Sequence, residues 1–298
     1  MHEQEEYDGD FPTVEKPNPE DLAVFKLAEK LAENVNADII IGTDPDSDRI
    51  GLGVCHNGEV RYINGNQIGT LLVDFLGRTK ATDKKKLITT IVTGNMGEDV
   101  AAGYGIDTVR TYTGFKNLGK EMNAIGDDNV FMAYEESYGY LMGTHIRDKD
   151  AVSASMMICQ MATYWKQSGK SLVDVLEDLY NTYGHYIDDQ SSFVFEGADG
   201  VEKMNGIMKQ LRETNGKALA DAGKIEEIID YLDGPCGMEP ANVLKYIFDN
   251  GSWLAVRPSG TEPKIKFYYC IKEKDRVQGE LSHAKLKECV EDMVNGYR

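Results

Sequence analysis

Between residues 87 and 180, short apolar segments alternate with segments of helical period, and this alternation constrains the fold more than any other feature of the chain. Leu87 to Val92, Ile106 to Arg110 and Val130 to Tyr134 read as strands. Gly97 to Tyr104 and Leu118 to Ile125 read as the helices between them, and further helices follow from about Asp150 to Gln167 and from Leu172 to Tyr180. Strands separated by helices cannot fold back as hairpins, so they pair in parallel, and a parallel sheet needs cover on both faces. The expected class is α/β with mixed, mainly parallel sheets, joined to a C-terminal α+β domain.

The flanks read differently. Residues 1–18 are acidic and punctuated by proline. Asn18 is suited to cap a helix and Pro19 to open it, and Leu22, Phe25, Ala28 and Leu31 fall on one face at helical spacing. A strand at Asp38 to Gly42 follows, then a hairpin of Ile50 to Val54 and Val60 to Ile63 turned at Asn57-Gly58. A helix from about Asn66 to Leu76 runs into a charged linker, Arg78 to Lys86. After Asp189 the pattern becomes strand-like at Phe193 to Phe195, helical at Val201 to Glu213, ambiguous at Ile225 to Leu232, and hairpin-like around Asn250-Gly251. A chain of 298 residues can bury more than one core. The expected domains are 1–80, 81–188 and 189–298.

Asp44-Pro45-Asp46-Ser47-Asp48-Arg49 places three carboxylates at alternate positions of one short loop. That charge is costly without a cation, and oxygen ligands suit a hard divalent ion such as Mg²⁺. An EF-hand fails, because Arg49 stands at position 6 where glycine is needed and Cys55 at position 12 where glutamate is needed. The pattern alone fits a metal site and a solvated acidic turn equally. Its place at a strand end and the adjoining Arg49 favour the site.

Arg257-Pro258-Ser259-Gly260-Thr261-Glu262-Pro263-Lys264 follows a strand and concentrates donors for an anion. Arg257 offers a planar fork, Gly260 permits a positive φ that would form an anion nest, and Ser259, Thr261, Lys264 and Lys266 add hydroxyls and charge. An ordinary Pro-Ser-Gly turn is the bland alternative. Thr113-Gly114-Phe115-Lys116 and Glu135-Glu136-Ser137-Tyr138-Gly139 lie at strand ends, where ligands of α/β sheets bind. Glu135 and Ser137 can together bind vicinal hydroxyls. Lys149 suits acid or base work if its pKa is lowered, although a charged helix start with Asp150 as cap is the simpler reading. Gly169-Lys170-Ser171 is not a phosphate loop, since Tyr164 replaces the earlier glycine; Ser171 with Asp174 reads as a capping pair.

Composition removes other classes. The net charge of −18 repels nucleic acid and anionic membranes, so an anionic substrate must be caught by a few local cations. No apolar run reaches the roughly 18 residues of a membrane helix, and the acidic start is unlike a signal peptide. Five scattered cysteines indicate reduced thiols and a cytoplasmic setting.

Taken in order, the loops at Asp44 to Arg49, Thr113 to Lys116, Glu135 to Ser137, Arg147 to Asp150 and Arg257 to Thr261 resemble the α-D-phosphohexomutase superfamily, most closely its bacterial phosphoglucomutase branch. The resemblance covers nearly the whole chain. It implies four domains around a cleft in the full enzyme, with this chain supplying the later part of the second, the third and the fourth. It implies interconversion of glucose 1-phosphate and glucose 6-phosphate through a phosphoserine and a bisphosphorylated sugar, glucose 1,6-bisphosphate. Asp44, Asp46 and Asp48 would hold Mg²⁺ and Arg49 would position the serine phosphate. Gly114, Phe115 and Lys116 would discriminate sugar orientations, Glu135 and Ser137 would bind sugar hydroxyls, and Lys149 would take part in acid/base work. Arg257, Ser259, Gly260 and Thr261 would hold the unreactive phosphate. The hexose phosphate is the expected partner, with mannose, glucosamine and pentose phosphates left open by the small hydrogen-bonding differences among them.

The family's nucleophile lies in a Thr-Ala-Ser-His-Asn-Pro-like loop, and these 298 residues contain none. Ser47 and Ser137 occupy motif positions with other roles. The expectation is a fragment inactive by itself. A non-catalytic sugar-phosphate-binding protein and an Mg²⁺-dependent phosphatase are the competing readings.

Overall fold

The computed structural model describes all residues except Tyr7, Ala81, Lys84, Ala198, Thr261 and Arg298, together with the side chain of Cys236. The chain divides into two compact units, Met1–Tyr183 and Gly184–Arg298.

The first unit holds two sheets. β1 (Ile39–Thr43), β2 (Ile50–His56) and β3 (Glu59–Ile63) pair antiparallel in that order. The parallel character expected of the sheets is therefore confined to the second one. The physical reason is loop length, since the six residues between β1 and β2 cannot make a parallel crossover. The Asn57-Gly58 turn forms as read, with both residues at positive φ (51° and 81°), the requirement of a tight two-residue hairpin. The second sheet runs β5-β4-β6-β7, from β4 (Lys86–Thr90), β5 (Asp107–Thr111), β6 (Val130–Glu135) and β7 (Gly139–Leu141). β4 pairs parallel with β5 and β6, and β7 is antiparallel.

Helix α1 (Lys26–Val35) differs from expectation. A 3-10 turn at Leu22–Phe25, capped by the Asp21 carboxylate, precedes it. Asn18 instead accepts the Glu20 N–H, a local turn that competes with helix. Phe25 is buried, whereas Leu22 and Leu31 are exposed. Helix α2 (Gly65–Thr79) carries a capping box of Asn64 and Gln67. Its Ile68, Leu71, Leu72 and Val73 are fully buried, each stabilising by roughly 1.5–3 kcal/mol. Helices α3 (Met96–Gly103), α4 (Phe115–Ile125), α5 (Ala151–Lys166) and α6 (Leu172–Tyr183) complete the unit. Ser171 and Asp174 form the reciprocal cap expected at α6.

The second unit is an antiparallel sheet ordered β8-β12-β11-β10-β9, from β8 (His185–Val194), β9 (Ile225–Asp230), β10 (Leu244–Phe248), β11 (Trp253–Pro258) and β12 (Lys264–Glu273). Helices α7 (Gly200–Glu213) and α8 (Arg276–Gly296) pack on it through Ile207, Leu211, Leu286 and Val290 against Leu254, Val256 and Phe267. β8 begins eight residues before the strand expected at Phe193. Among the described residues no helix is long and apolar enough to cross a membrane.

Candidate active-site loops

The β1–β2 connection carries the acidic motif. Asp44 is 3% exposed, and its Oδ1 accepts the N–H groups of Asp48 (3.1 Å) and Arg49 (3.0 Å). Its Oδ2 accepts the Arg49 Nε–H at 2.8 Å. Burial disfavours the charged carboxylate, but the bonds from Arg49 and Asp48 outweigh it and hold the Asp44 pKa below its ordinary value. Ser47 takes a left-handed φ of 55°, which turns the loop. One carboxylate oxygen from each of Asp44, Asp46 and Asp48 lies within 4.8 Å of the others. Three convergent oxygen donors of this kind fit a hard divalent cation. Arg49 Nη1 also donates to Asn18 Oδ1 (3.3 Å) and lies 3.5 Å from Glu20.

The parallel strands deliver the other loops. Glu135 ends β6 and is 4% exposed, with its Oε1 accepting the Gly114 N–H at 2.6 Å. Burial lifts its carboxyl to about 7, against the Gly114 bond, which favours the charged form. Glu136, Ser137 and Tyr138 form the three-residue turn between β6 and β7, with Tyr138 at φ 67°. Ser137 is half-buried.

Gly114 is the N-cap residue of α4 and Lys116 is exposed beside it, with no ion pair among the described residues. Phe115 departs from its expected place. Its ring is 4% exposed and packs with Ile88, Leu118 and Leu141 in the core, so the side chain offers nothing to a sugar.

Lys149 Nζ lies 2.5 Å from Asp48 Oδ2. Burial alone would lower its pKa, but Asp48 overrides burial and raises it. The lowered pKa that base work needs is thus not met here; the side chain is held as an ammonium. Gly139 makes room for it, since a Cβ there would come within 2.6 Å of Lys149 Cδ. Arg147 is a framework residue, bonded to Asn123 Oδ1 (2.7 Å) and Asp127.

Backbone bonds knit these loops together. The Ala151 N–H donates to Ser47 O (3.0 Å), the Ile50 N–H to Tyr138 O (3.1 Å) and the Asp150 N–H to Tyr140 O (3.0 Å). Two further residues matter that the sequence did not single out. Arg110 donates to the carbonyls of Thr90 and Thr93 (both 2.9 Å) and to Asn95 Oδ1 (2.8 Å), and Glu136 accepts from the Thr90 and Thr93 hydroxyls. Glu136 stood inside a recognised motif, but its partners are 46 and 43 residues away and leave no local signal.

In the second unit, Arg257 lies near the end of β11 and Ser259 begins the β11–β12 turn, where Ser259 N–H donates to Lys264 O (2.7 Å) and Ser259 Oγ accepts the Glu262 N–H (3.3 Å). The Arg257 side chain has no ion pair or hydrogen bond among the described residues. Gly260 is exposed and does not adopt the positive φ expected of it. A Cβ at Gly260 would meet open space, so nothing in its surroundings forces the left-handed region. Thr261 lies outside the described residues.

The comparisons agree with one another. Family models of the phosphoglucomutase/phosphomannomutase α/β/α domain II, α/β/α domain III and C-terminal domain match residues 1–57, 64–183 and 196–295. A phosphoglucomutase of Staphylococcus aureus (strain bovine RF122 / ET3-1) is 37% identical over 279 residues, covering 89% of this chain and 50% of the relative. One from Staphylococcus haemolyticus (strain JCSC1435) is 36% identical over 280 residues, covering 89% and 51%. The chain thus spans about half the length of the curated relatives it matches. Among solved structures, the open form of the Paramecium phosphoglucomutase pp63/parafusin aligns with a TM-score of 0.70 at 19% identity, over 94% of this chain and 50% of that one. A putative phosphomannomutase of Thermus thermophilus aligns with a TM-score of 0.59 at 15% identity, over 93% and 51%. At such identities these two likenesses concern the fold alone.

Proposed function

The chain belongs to the α-D-phosphohexomutase superfamily, and from that membership we propose that it forms the metal- and sugar-phosphate-binding part of a phosphoglucomutase interconverting glucose 1-phosphate and glucose 6-phosphate. The observation that carries the reading is the knitting of three motif loops into one constellation. Ser47 O, Tyr138 O and Asp48 of the acidic and sugar loops are bonded to Ala151, Ile50 and Lys149.

In this reading Asp44, Asp46 and Asp48 hold Mg²⁺. When bound, the ion polarises a phosphoryl oxygen as a Lewis acid. Arg49, fixed by Asp44, orients a phosphate beside it. Glu135 and Ser137 take sugar hydroxyls, and Lys116 and Gly114 border them. Lys149 presents a proton-bearing ammonium and so serves as a donor. Arg257, Ser259, Gly260 and Thr261 hold the second phosphate, with the guanidinium of Arg257, unpaired among the described residues, supplying its charge. Glucose 1,6-bisphosphate is the bisphosphorylated sugar of this reading, and the free thiols of Cys55, Cys159 and Cys289 accord with a cytoplasmic setting.

The phosphoserine implied by the resemblance has no counterpart among the 298 residues, so the chain assayed by itself is expected to show no turnover. The test is calorimetric titration with glucose 1,6-bisphosphate and Mg²⁺. Binding lost in Arg257→Ala and made Mg²⁺-independent in Asp46→Asn supports the reading. Absence of binding by the unaltered chain, or binding indifferent to both substitutions, overturns it.

A further inference from the structure

The turn that carries Ser137 is short, contains a non-glycine residue at positive φ, and yet lies between two loops it must serve. Its conformation needs a cause. Tyr138 bears a steric cost at φ 67° that only a restraining framework sustains. Two anchors flank Ser137. On one side Tyr138 O accepts the Ile50 N–H of the acidic hairpin. On the other, Glu136 Oε2 accepts hydroxyls from Thr90 (3.0 Å), the last residue of β4, and from Thr93 (3.1 Å), in the loop that follows.

That second anchor is deeply set. Thr90 and Thr93 are fully buried, so their hydroxyls need acceptors. Their carbonyls are clamped by Arg110, which is itself fixed by the Glu98 carboxylate (Nε–H to Oε2, 3.0 Å). The adjoining Gly94 N–H donates to Asn66 Oδ1 (2.9 Å), which ties the same loop to α2. Glu136 therefore plugs the turn into a framework reaching β4, β5, α2 and α3.

We propose that Glu136 is a positioning residue, which locks the Glu136–Tyr138 turn to the Thr90/Thr93 loop and thereby sets Ser137 and Glu135 for hexose hydroxyls. What the turn binds rests on the proposed function; that Glu136 fixes the turn does not. The side chain points its carboxylate at the framework hydroxyls, while its two neighbours carry the recognition.

The test has two arms on the full 298-residue chain. In the first, amide hydrogen exchange is compared for the unaltered chain, Glu136→Ala and Glu136→Gln. Glu136→Ala is expected to speed exchange at Ile50 and Gly114 about tenfold while amides of β10 keep their rates, and Glu136→Gln, whose amide oxygen still accepts both hydroxyls, is expected to restore protection. If Glu136→Ala loses its fold, the Thr90→Val/Thr93→Val pair removes the same bonds without opening a cavity and is read in its place. Unchanged protection at Ile50 and Gly114 overturns the proposal. In the second arm, glucose 6-phosphate affinity is expected to fall about tenfold in Glu136→Ala and recover in Glu136→Gln, with inorganic phosphate affinity unchanged. Equal losses for both ligands, or no loss for either, also overturn it. If the unaltered chain takes up no glucose 6-phosphate, the proposed function falls, and the exchange arm alone decides the role of Glu136.

Discussion

Lys149 reaches across the sequence to place its ammonium 2.5 Å from Asp48 Oδ2, 101 positions away, so the acidic loop is partly neutralised by the protein itself. Both side chains are partly screened from solvent, at 21% and 27% exposure. An ammonium at this place competes with a cation for the same carboxylate. Lys149→Met is therefore expected to tighten Mg²⁺ binding by about fivefold, the equivalent of roughly 1 kcal/mol for one partly exposed pair. Titration of Mn²⁺ followed by water-proton relaxation reads this directly. Unchanged or weaker binding would show that the Lys149–Asp48 pair does not oppose the metal.

The three aspartates are not equivalent, and two substitutions separate their roles. Asp44 is buried and satisfies two backbone N–H groups and Arg49, whereas Asp46 is exposed. Asp44→Asn is expected to cost about 1–3 kcal/mol of stability, because the half-buried Arg49 guanidinium and the local turn lose their charged acceptor. In a unit of this size each kcal/mol lowers Tm by about 2–4 °C. Asp46→Asn is expected to leave Tm unchanged and to abolish the Mg²⁺-induced rise in Tm. Equal behaviour of the two variants in thermal unfolding would sink the distinction.

Glu135 links burial to pH. Its carboxyl rises from the ordinary 4.5 to about 7 in the folded chain, so between these values the native state binds more protons than the unfolded state. Its contribution to stability is full below about pH 4.5 and is lost as pH rises through 7. The complete shift corresponds to about 3 kcal/mol. Relative to the unaltered chain, Glu135→Gln is expected to show a flatter decline of stability between about pH 4.5 and 7.5, as read by urea unfolding at each pH. Parallel pH profiles for the two proteins would mean that Glu135 titrates normally.

Much of this arrangement is written locally and some is not. Asn57-Gly58 was legible because a two-residue hairpin demands positive φ at both positions, and these residues supply it. The acidic loop and the Glu135 loop were legible because each closes an apolar strand. β8 was only partly visible: it is an edge strand whose Asp188, Asp189, Gln190, Ser191 and Ser192 read as loop, and only its ten-residue register with β12 makes it a strand. Phe115 was misplaced because the first turn of α4 rotates its ring into the core while Gly114 and Lys116 stay exposed. The charge state of Lys149 depended on Asp48, and no local pattern connects the two.

Arg257 and Lys266 face one another across the β11–β12 ladder, and among the described residues neither has a carboxylate partner. Like charges placed directly opposite are destabilising by a few tenths to about 1 kcal/mol, and an anion between them reverses the sign. Lys266→Met is therefore expected to match or exceed the unaltered chain in Tm without phosphate, and to gain less from added phosphate. Scanning fluorimetry at low ionic strength, with and without stepwise additions of inorganic phosphate, measures both. An equal phosphate-induced gain in the two proteins would remove Lys266 from the anion site.

Two glycines set opposing expectations that local propensity alone gets wrong. Gly65 opens α2, where alanine is the better helix former by about 0.5–1 kcal/mol. A Cβ at Gly65, however, would fall on the backbone carbonyl of Glu136, which cannot move without dragging the turn that holds Ser137. Overpacking of this kind costs about 1–3 kcal/mol, so sterics outweigh propensity. Gly139 differs, because the three atoms nearest its Cβ all belong to the side chain of Lys149, and the tightest approach is to its Cδ, towards the movable end. Gly65→Ala is expected to lower Tm and to weaken glucose 6-phosphate binding. Gly139→Ala is expected to leave Tm within about 2 °C, a change below roughly 1 kcal/mol, while shifting Mg²⁺ affinity by displacing Lys149 from Asp48. A Gly65→Ala protein as stable as the unaltered chain would show that α2 and the turn can separate without loss, and would take away the close approach on which the positioning of Ser137 depends.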